Sequence, residues 1–259
     1  MAVTFDNVAS SSSTTTGTPS LTWAHNVATS ANLLLVCVSM DNISSGPSAG
    51  QCTVTAGGVS MTQSTGSPVS NAGAAGLYIF QLASPPTGSS VSIVVTNAGG
   101  AATGSIDALI GGSLSFIGAS TLGTPVTVAS ATGASISATV TGVASTSMVA
   151  GFCSCGDNIN TPSPGNSQYI VNAKGSGGNT DGNSAGATNT GTGSVTITWG
   201  GMPAGDSNNS WGVEITAAAS GPPAPYPGLH QAIRARNRIP AYVTVTPGLI
   251  YVPVQDNRV

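Results

Sequence analysis

Strand-length runs rich in Val, Ile, Leu, Thr and aromatic residues recur along this chain as far as residue 217, and clusters of Gly, Pro, Asn or Ser interrupt each of them. The pattern predicts strands at 3–8, 20–27, 32–40, 52–56, 59–63, 76–82, 90–97, 105–110, 114–117, 125–129, 135–140, 147–154, 168–173, 194–199 and 211–217. No segment before residue 228 has the apolar period of an amphipathic helix. Parallel strands need long crossovers, usually helical, so many short strands without helices imply antiparallel pairing. The expected fold is all-β, an antiparallel β-sandwich of jelly-roll-like arrangement over residues 1–220, followed by an extended Pro/Arg-rich C-terminal arm at 221–259.

Alternation assigns the faces. Val195, Ile197 and Trp199 share one side of their strand, and Trp211, Val213 and Ile215 share one side of theirs, which turns Glu214, the only glutamate, toward solvent. Leu21, Trp23, His25 and Val27 also share a face and place His25 at the rim of the core. The run Leu33-Leu34-Leu35-Val36-Cys37-Val38 is far shorter than the roughly 20 residues of a membrane-spanning helix and reads as a buried strand, so no membrane is expected. Residues 174–193 have no apolar anchor and read as a long surface loop; Asp181 is its single carboxylate, too few for a calcium site.

Composition bears on what such a sandwich can do. Charged residues are 5% of the chain against roughly 25% in typical domains, so Ser, Thr, Asn and Gly must keep the surface wet. A surface of that kind resists self-association poorly and suits a protein held in an assembly. The N-terminus carries no basic region followed by an apolar core, so export by a standard signal is not expected. Cys37, Cys52, Cys153 and Cys155 are then expected as free thiols filling core positions, and Cys153-Ser154-Cys155 lacks the second pair or histidine of a metal site. No cofactor is implied.

Charge is segregated. Seven acidic residues and Lys174 leave −6 on residues 1–220, whereas Arg234, Arg236, Arg238, Arg258 and Asp256 leave +3 on 221–259. Seven prolines break the arm, which cannot build its own core and must dock on a partner. The candidate partner-binding residues are Arg234, Arg236, Arg238 and Arg258 for charge pairing, and Leu229, Ile233, Tyr242, Ile250 and Tyr251 for apolar docking. Nucleic acid is not expected as the partner, because the body would repel it and no aromatic-rich basic groove is present.

Catalytic patterns are missing from the sequence: neither His25 nor His230 lies in a nucleophile setting, the aspartates sit singly in turns, and no phosphate loop occurs. A carbohydrate-binding module is the alternative, with Tyr78 and Tyr169 as contacts because Trp23, Trp199 and Trp211 fall on core faces.

The stretches Leu21-Thr22-Trp23, Leu33–Val38, Thr55-Ala56-Gly57-Gly58-Val59-Ser60-Met61-Thr62 and Leu77-Tyr78-Ile79-Phe80-Gln81-Leu82-Ala83-Ser84-Pro85-Pro86-Thr87-Gly88 resemble β-sandwich domains of tailed-phage virion proteins and some bacterial surface proteins. The ending, Tyr226-Pro227-Gly228-Leu229-His230-Gln231-Ala232-Ile233-Arg234-Ala235-Arg236 with Arg238-Ile239-Pro240 and Val252-Pro253-Val254-Gln255-Asp256-Asn257, is similar to Pro/Arg-rich endings of actinobacteriophage structural proteins. The resemblance implies a non-enzymatic virion component, assembled in the host cytoplasm and exposed on the particle. It implies capsid or tail proteins as partners, a homo-oligomer such as a trimer, and head decoration as the role. A minor tail protein or a host-adhesion module binding a surface glycan are the alternatives.

Overall fold

The computed structural model describes residues 1–13, 20–41, 47–70, 76–97, 108–130, 135–155, 167–172, 183–200 and 208–219, without the side chains of 13, 41, 108, 130, 167–172, 183 and 184. The Pro/Arg-rich arm lies outside them. In chain order the strands are β1 (Thr4–Ser13), β2 (Ser20–Val27), β3 (Ala31–Asp41), β4 (Cys52–Ala56), β5 (Val59–Ser60), β6 (Thr62–Gln63), β7 (Gly76–Ala83), β8 (Gly88–Asn97) and β9 (Ala108–Ile117). They continue as β10 (Ala119–Leu122), β11 (Val126–Ser130), β12 (Ser135–Val143), β13 (Met148–Cys155), β14 (Ser167–Asn172), β15 (Asn183–Asn189), β16 (Gly193–Gly200) and β17 (Asn208–Ala217). All pairings are antiparallel, and no helix long and apolar enough to cross a membrane occurs among the described residues.

These strands form four sheets stacked as two sandwiches. An outer sheet in the order β2-β8-β4-β5 covers an inner sheet β1-β9-β3-β7-β6; a second inner sheet, β10-β17-β13-β15-β14 with β11 also on β17, is covered by the outer pair β12-β16. Three apolar layers lie between them. Leu34, Val36 and Val38 of β3 meet Trp23, Ile93 and Val95 in the first. Leu33, Leu35 and Cys37 face the other way, onto Phe152, Trp211 and Val213. Val149 and Cys153 of β13 then meet Ile197 and Trp199 in the third. Both inner sheets are thus buried on both faces, which explains why β3 and β13 read as unbroken apolar runs.

The two inner sheets carry the same strand order, with β1, β9, β3, β7 and β6 matched by β10/β11, β17, β13, β15 and β14. Local sequence follows. Val27-Ala28-Thr29-Ser30-Ala31 and Val143-Ala144-Ser145-Thr146-Ser147 make the same turn, closed by Ala31 N–H to Ala28 C=O and Ser147 N–H to Ala144 C=O, each 3.0 Å. Thr87-Gly88-Ser89-Ser90-Val91-Ser92-Ile93 likewise matches Thr192-Gly193-Ser194-Val195-Thr196-Ile197. At the start of β3 the first half carries an extra residue, Asn32, at the register shift between β3 and β9. Its side chain clamps the start of the second half: Oδ1 accepts from Ala119 N–H at 3.0 Å and Nδ2 donates to Ala119 C=O. Gly118 joins the halves at φ +74°, and a Cβ there would lie 2.8 Å from Ala2 C=O, so only glycine fits the junction.

Several expectations need correction. Residues 174–193 are not all loop: 183–189 form β15, whose Ala185 and Ala187 are buried against β16. Asp181, weighed for calcium, lies outside the described residues. The two strands expected at 105–110 and 114–117 are one strand, β9, running through Gly111 and Gly112. The expected strand 59–63 divides at Met61 between two sheets, and β10 was not anticipated. Glu214 does not simply face solvent; it is half-buried, and its Oε1 accepts from Ala144 N–H at 3.0 Å. All four cysteines are buried thiols outside any disulfide, as expected.

Glycine in β9 is required by close packing. A Cβ on Gly111 would stand 2.5 Å from the Trp23 indole, and that indole is held by its own hydrogen bond to Ser113. Gly111→Ala is expected to cost about 1–3 kcal/mol in urea denaturation, whereas Thr22→Ala on the exposed face of β2 should stay within about 0.5 kcal/mol.

Candidate functional site

The arm residues Leu229, Ile233, Arg234, Arg236, Arg238, Tyr242, Ile250, Tyr251 and Arg258 lie outside the described residues. Of the two tyrosines proposed for sugar contact, Tyr78 is fully buried and its hydroxyl donates to Gln51 Oε1, so it is a packing residue; burial also pushes its phenol well up. Tyr169 falls in β14, and its side chain is outside the described set. Trp23, Trp199 and Trp211 are buried as the alternation predicts.

Two constellations remain, and neither was read from the sequence. The first surrounds His25, which is wholly buried between β2 and β9 instead of lying at the core's rim. Its Nδ1 lies 2.8 Å from Ser113 Oγ and its Nε2 lies 2.9 Å from Ser115 Oγ. Ser115 donates to Asp6 Oδ2 at 2.7 Å, and the same oxygen accepts from Ala28 N–H at 3.1 Å. The Trp23 indole N–H, which can only donate, binds Ser113 Oγ at 2.9 Å. Burial lowers the imidazole pKa from 6.5 to about 4, against a smaller opposing pull from Asp6, so the ring is neutral near pH 7.

Proton accounting then sets one tautomer. Ser115 has one proton and gives it to Asp6, so the Nε2–H of His25 must donate to Ser115. Nδ1 is then the acceptor, and Ser113 donates to it in preference to the more distant Ala9 C=O at 3.2 Å. The result is a directed chain from Trp23 through Ser113, His25 and Ser115 to Asp6, in which each bond polarises the next. A nucleophile triad would have the carboxylate orient the histidine; here both grip the same hydroxyl. Ser113, Ser115 and His25 have no exposed surface through which a substrate could be attacked. In the second half the place of His25 is taken by Val140, since His25 pairs with Val91 and Val140 with Val195.

The second constellation is a cleft of about 540 Å³ at the seam between the two sandwiches. β6, β7 and the segment after β6 supply Thr62, Ser64, Thr65 and Gln81; β10 supplies Ser120 and Thr121. Leu33, Leu82, Leu122 and Pro125 make up its apolar part, and Trp211 braces one wall by donating from Nε1 to Thr65 C=O at 3.1 Å. No ionisable side chain lines it. Among the described residues no group of three or more His, Cys, Asp or Glu is gathered as for a metal ion.

Comparison with known proteins returns no match, whether against family models, curated proteins or solved structures.

The buried imidazole makes stability depend on pH. As pH falls below 6.5 the unfolded chain takes up a proton at His25 that the folded chain refuses until about 4. Stability contributed by the neutral ring is therefore present above 6.5 and lost toward 4, by roughly 3 kcal/mol. Urea denaturation between pH 7 and 4 should show this slope in the parent and a flatter one in His25→Gln; equal slopes would assign the acid sensitivity to other groups.

Proposed function

We propose that this chain is a non-enzymatic structural protein of a tailed-phage virion, exposed on the particle as a head decoration and anchored by residues 221–259. The observation that carries the reading is the segregation of charge: four of five basic residues lie in the arm, on a body that carries −6. A nearly charge-free body has little long-range attraction for a partner, while an arginine-bearing arm can set register on an acidic lattice. Arg234, Arg236, Arg238 and Arg258 would supply that register, with Leu229, Ile233, Tyr242, Ile250 and Tyr251 supplying buried area.

The body supports an assembly-borne role in its own way. The outward faces of the two outer sheets present Thr22, Thr53 and Thr96 on one side and Thr139, Thr141 and Thr196 on the other, with no charge among them. Such hydroxyl surfaces offer little repulsion between neighbouring copies, as suits a homo-oligomer, for example a trimer. The jelly-roll assignment is supported by strand order: β1 pairs with β9 and β2 with β8, so the chain folds back on itself as two successive Greek keys do. The mixed polar and apolar cleft at the seam favours a second reading, a host-adhesion module that binds a glycan.

Reversing Arg234, Arg236 and Arg238 to Glu in the full chain should abolish binding to particles stripped of the protein, and deletion of 221–259 should do the same while leaving a soluble body. Binding of the parent should weaken as salt rises from 50 to 500 mM, over which the screening length falls from roughly 14 to 4 Å. Undiminished binding of the deleted chain would sink the anchor.

A further inference from the structure

We infer that the cleft between the two sandwiches is a binding site for a neutral mono- or disaccharide, an inference that rests on the glycan-binding reading of this cleft and is independent of the anchoring role. Size comes first: about 540 Å³ falls within the range of small-molecule sites. Chemistry narrows the ligand. The wall hydroxyls of Thr62, Ser64, Thr65, Ser120 and Thr121 and the Gln81 amide both donate and accept, whereas Leu33, Leu82, Leu122 and Pro125 offer apolar surface. A sugar ring has the same two characters, a hydroxyl edge and a C–H face. A phosphate, a carboxylate or an ammonium would lose hydration on entry and find no opposite charge, because no Asp, Glu, Lys, Arg or His lines the cleft. A purely apolar ligand would strip water from the hydroxyls without replacing its hydrogen bonds.

Ser64 is the second, independent observation. It lines the cleft, is 4% exposed, and its buried hydroxyl has no hydrogen-bond partner in the folded chain. Buried hydroxyls are almost always paired, so the unmade hydrogen bond of this one is open to a ligand in the cleft once the side chain turns outward. The body's own needs are met without it: Ser64 N–H donates to Ile79 C=O at 2.8 Å, which holds the segment whether or not the side chain is a serine. The 3.1 Å hydrogen bond from Trp211 to Thr65 C=O holds that wall in place.

The test uses the full chain on an array of neutral and acidic oligosaccharides, followed by calorimetric titration with the neutral sugar that binds best. Neutral sugars should bind and acidic ones should not. Ser64→Ala should weaken binding about tenfold and at the same time leave the unliganded protein as stable or more so, since it removes an unsatisfied buried hydroxyl. Ser120→Trp, which fills the cleft from its exposed rim, should abolish binding; Thr62→Leu serves if that variant does not fold, and Ser92→Trp on the exposed face of β8 should bind like the parent. The proposal is overturned by an absence of neutral-sugar binding, by binding restricted to acidic sugars, or by affinity unchanged in the cleft variants. Self-association abolished by Ser120→Trp, without sugar binding, would reassign the cleft to a second copy of the chain.

Discussion

Two sheets buried on both faces hold this protein together. A strand in the middle of a four-layer stack meets no water on either side, so every residue along it must be apolar, small, or fully hydrogen-bonded. β3 satisfies this with Leu, Val and Cys, and β13 with Val, Ala, Gly, Phe and Cys. The thiols behave as small hydrophobes, and burial drives Cys153 well above its usual pKa. The same constraint removes charge from the body's interior. Asp6 and Glu214 lie where the sandwiches reach water, each accepting a backbone N–H from the same turn of its own half, at Ala28 and Ala144.

The repeated strand order makes the differences between the halves informative. The first half inserts Asn32, places a histidine where the second has Val140, and surrounds it with Ser113 and Ser115. Asn32 fastens the junction, and the junction sets β10 beside the β6–β7 edge, leaving the cleft between them. A polar chain in the first apolar layer is tolerable only because all its donors have acceptors; with one partner lost, the remaining groups would be stranded out of water. The second half fills the corresponding layer with Val140, Ile197 and Trp199 and needs no such chain.

Much of the fold was legible because period-two alternation is a local property. β2 and β4 fall where the pattern puts them, and the buried faces of β16 and β17 are those read from Val195, Ile197, Trp199, Trp211, Val213 and Ile215. β15 was not legible, since Asn-Ser-Ala-Gly-Ala-Thr-Asn carries little apolar signal; two alanines suffice there because the layer above is filled by larger side chains of β16. Gly111 and Gly112 interrupted the apolar run because the sequence does not reveal that Trp23 packs against Gly111.

The chain's own residues determined that it would be an all-β, antiparallel, charge-poor body, that its tryptophans and cysteines would be interior, and that four of its five basic residues would fall in 221–259. Tertiary structure alone decided that the strands would divide into two stacked sandwiches, that His25 would be enclosed between two serines, and that polar residues of β6, β7 and β10 would line one cleft. The physical reason is range. Alternation, turn chemistry and charge balance act between residues a few positions apart, whereas Ser113 and His25 are 88 residues apart in sequence and only 2.8 Å apart in space.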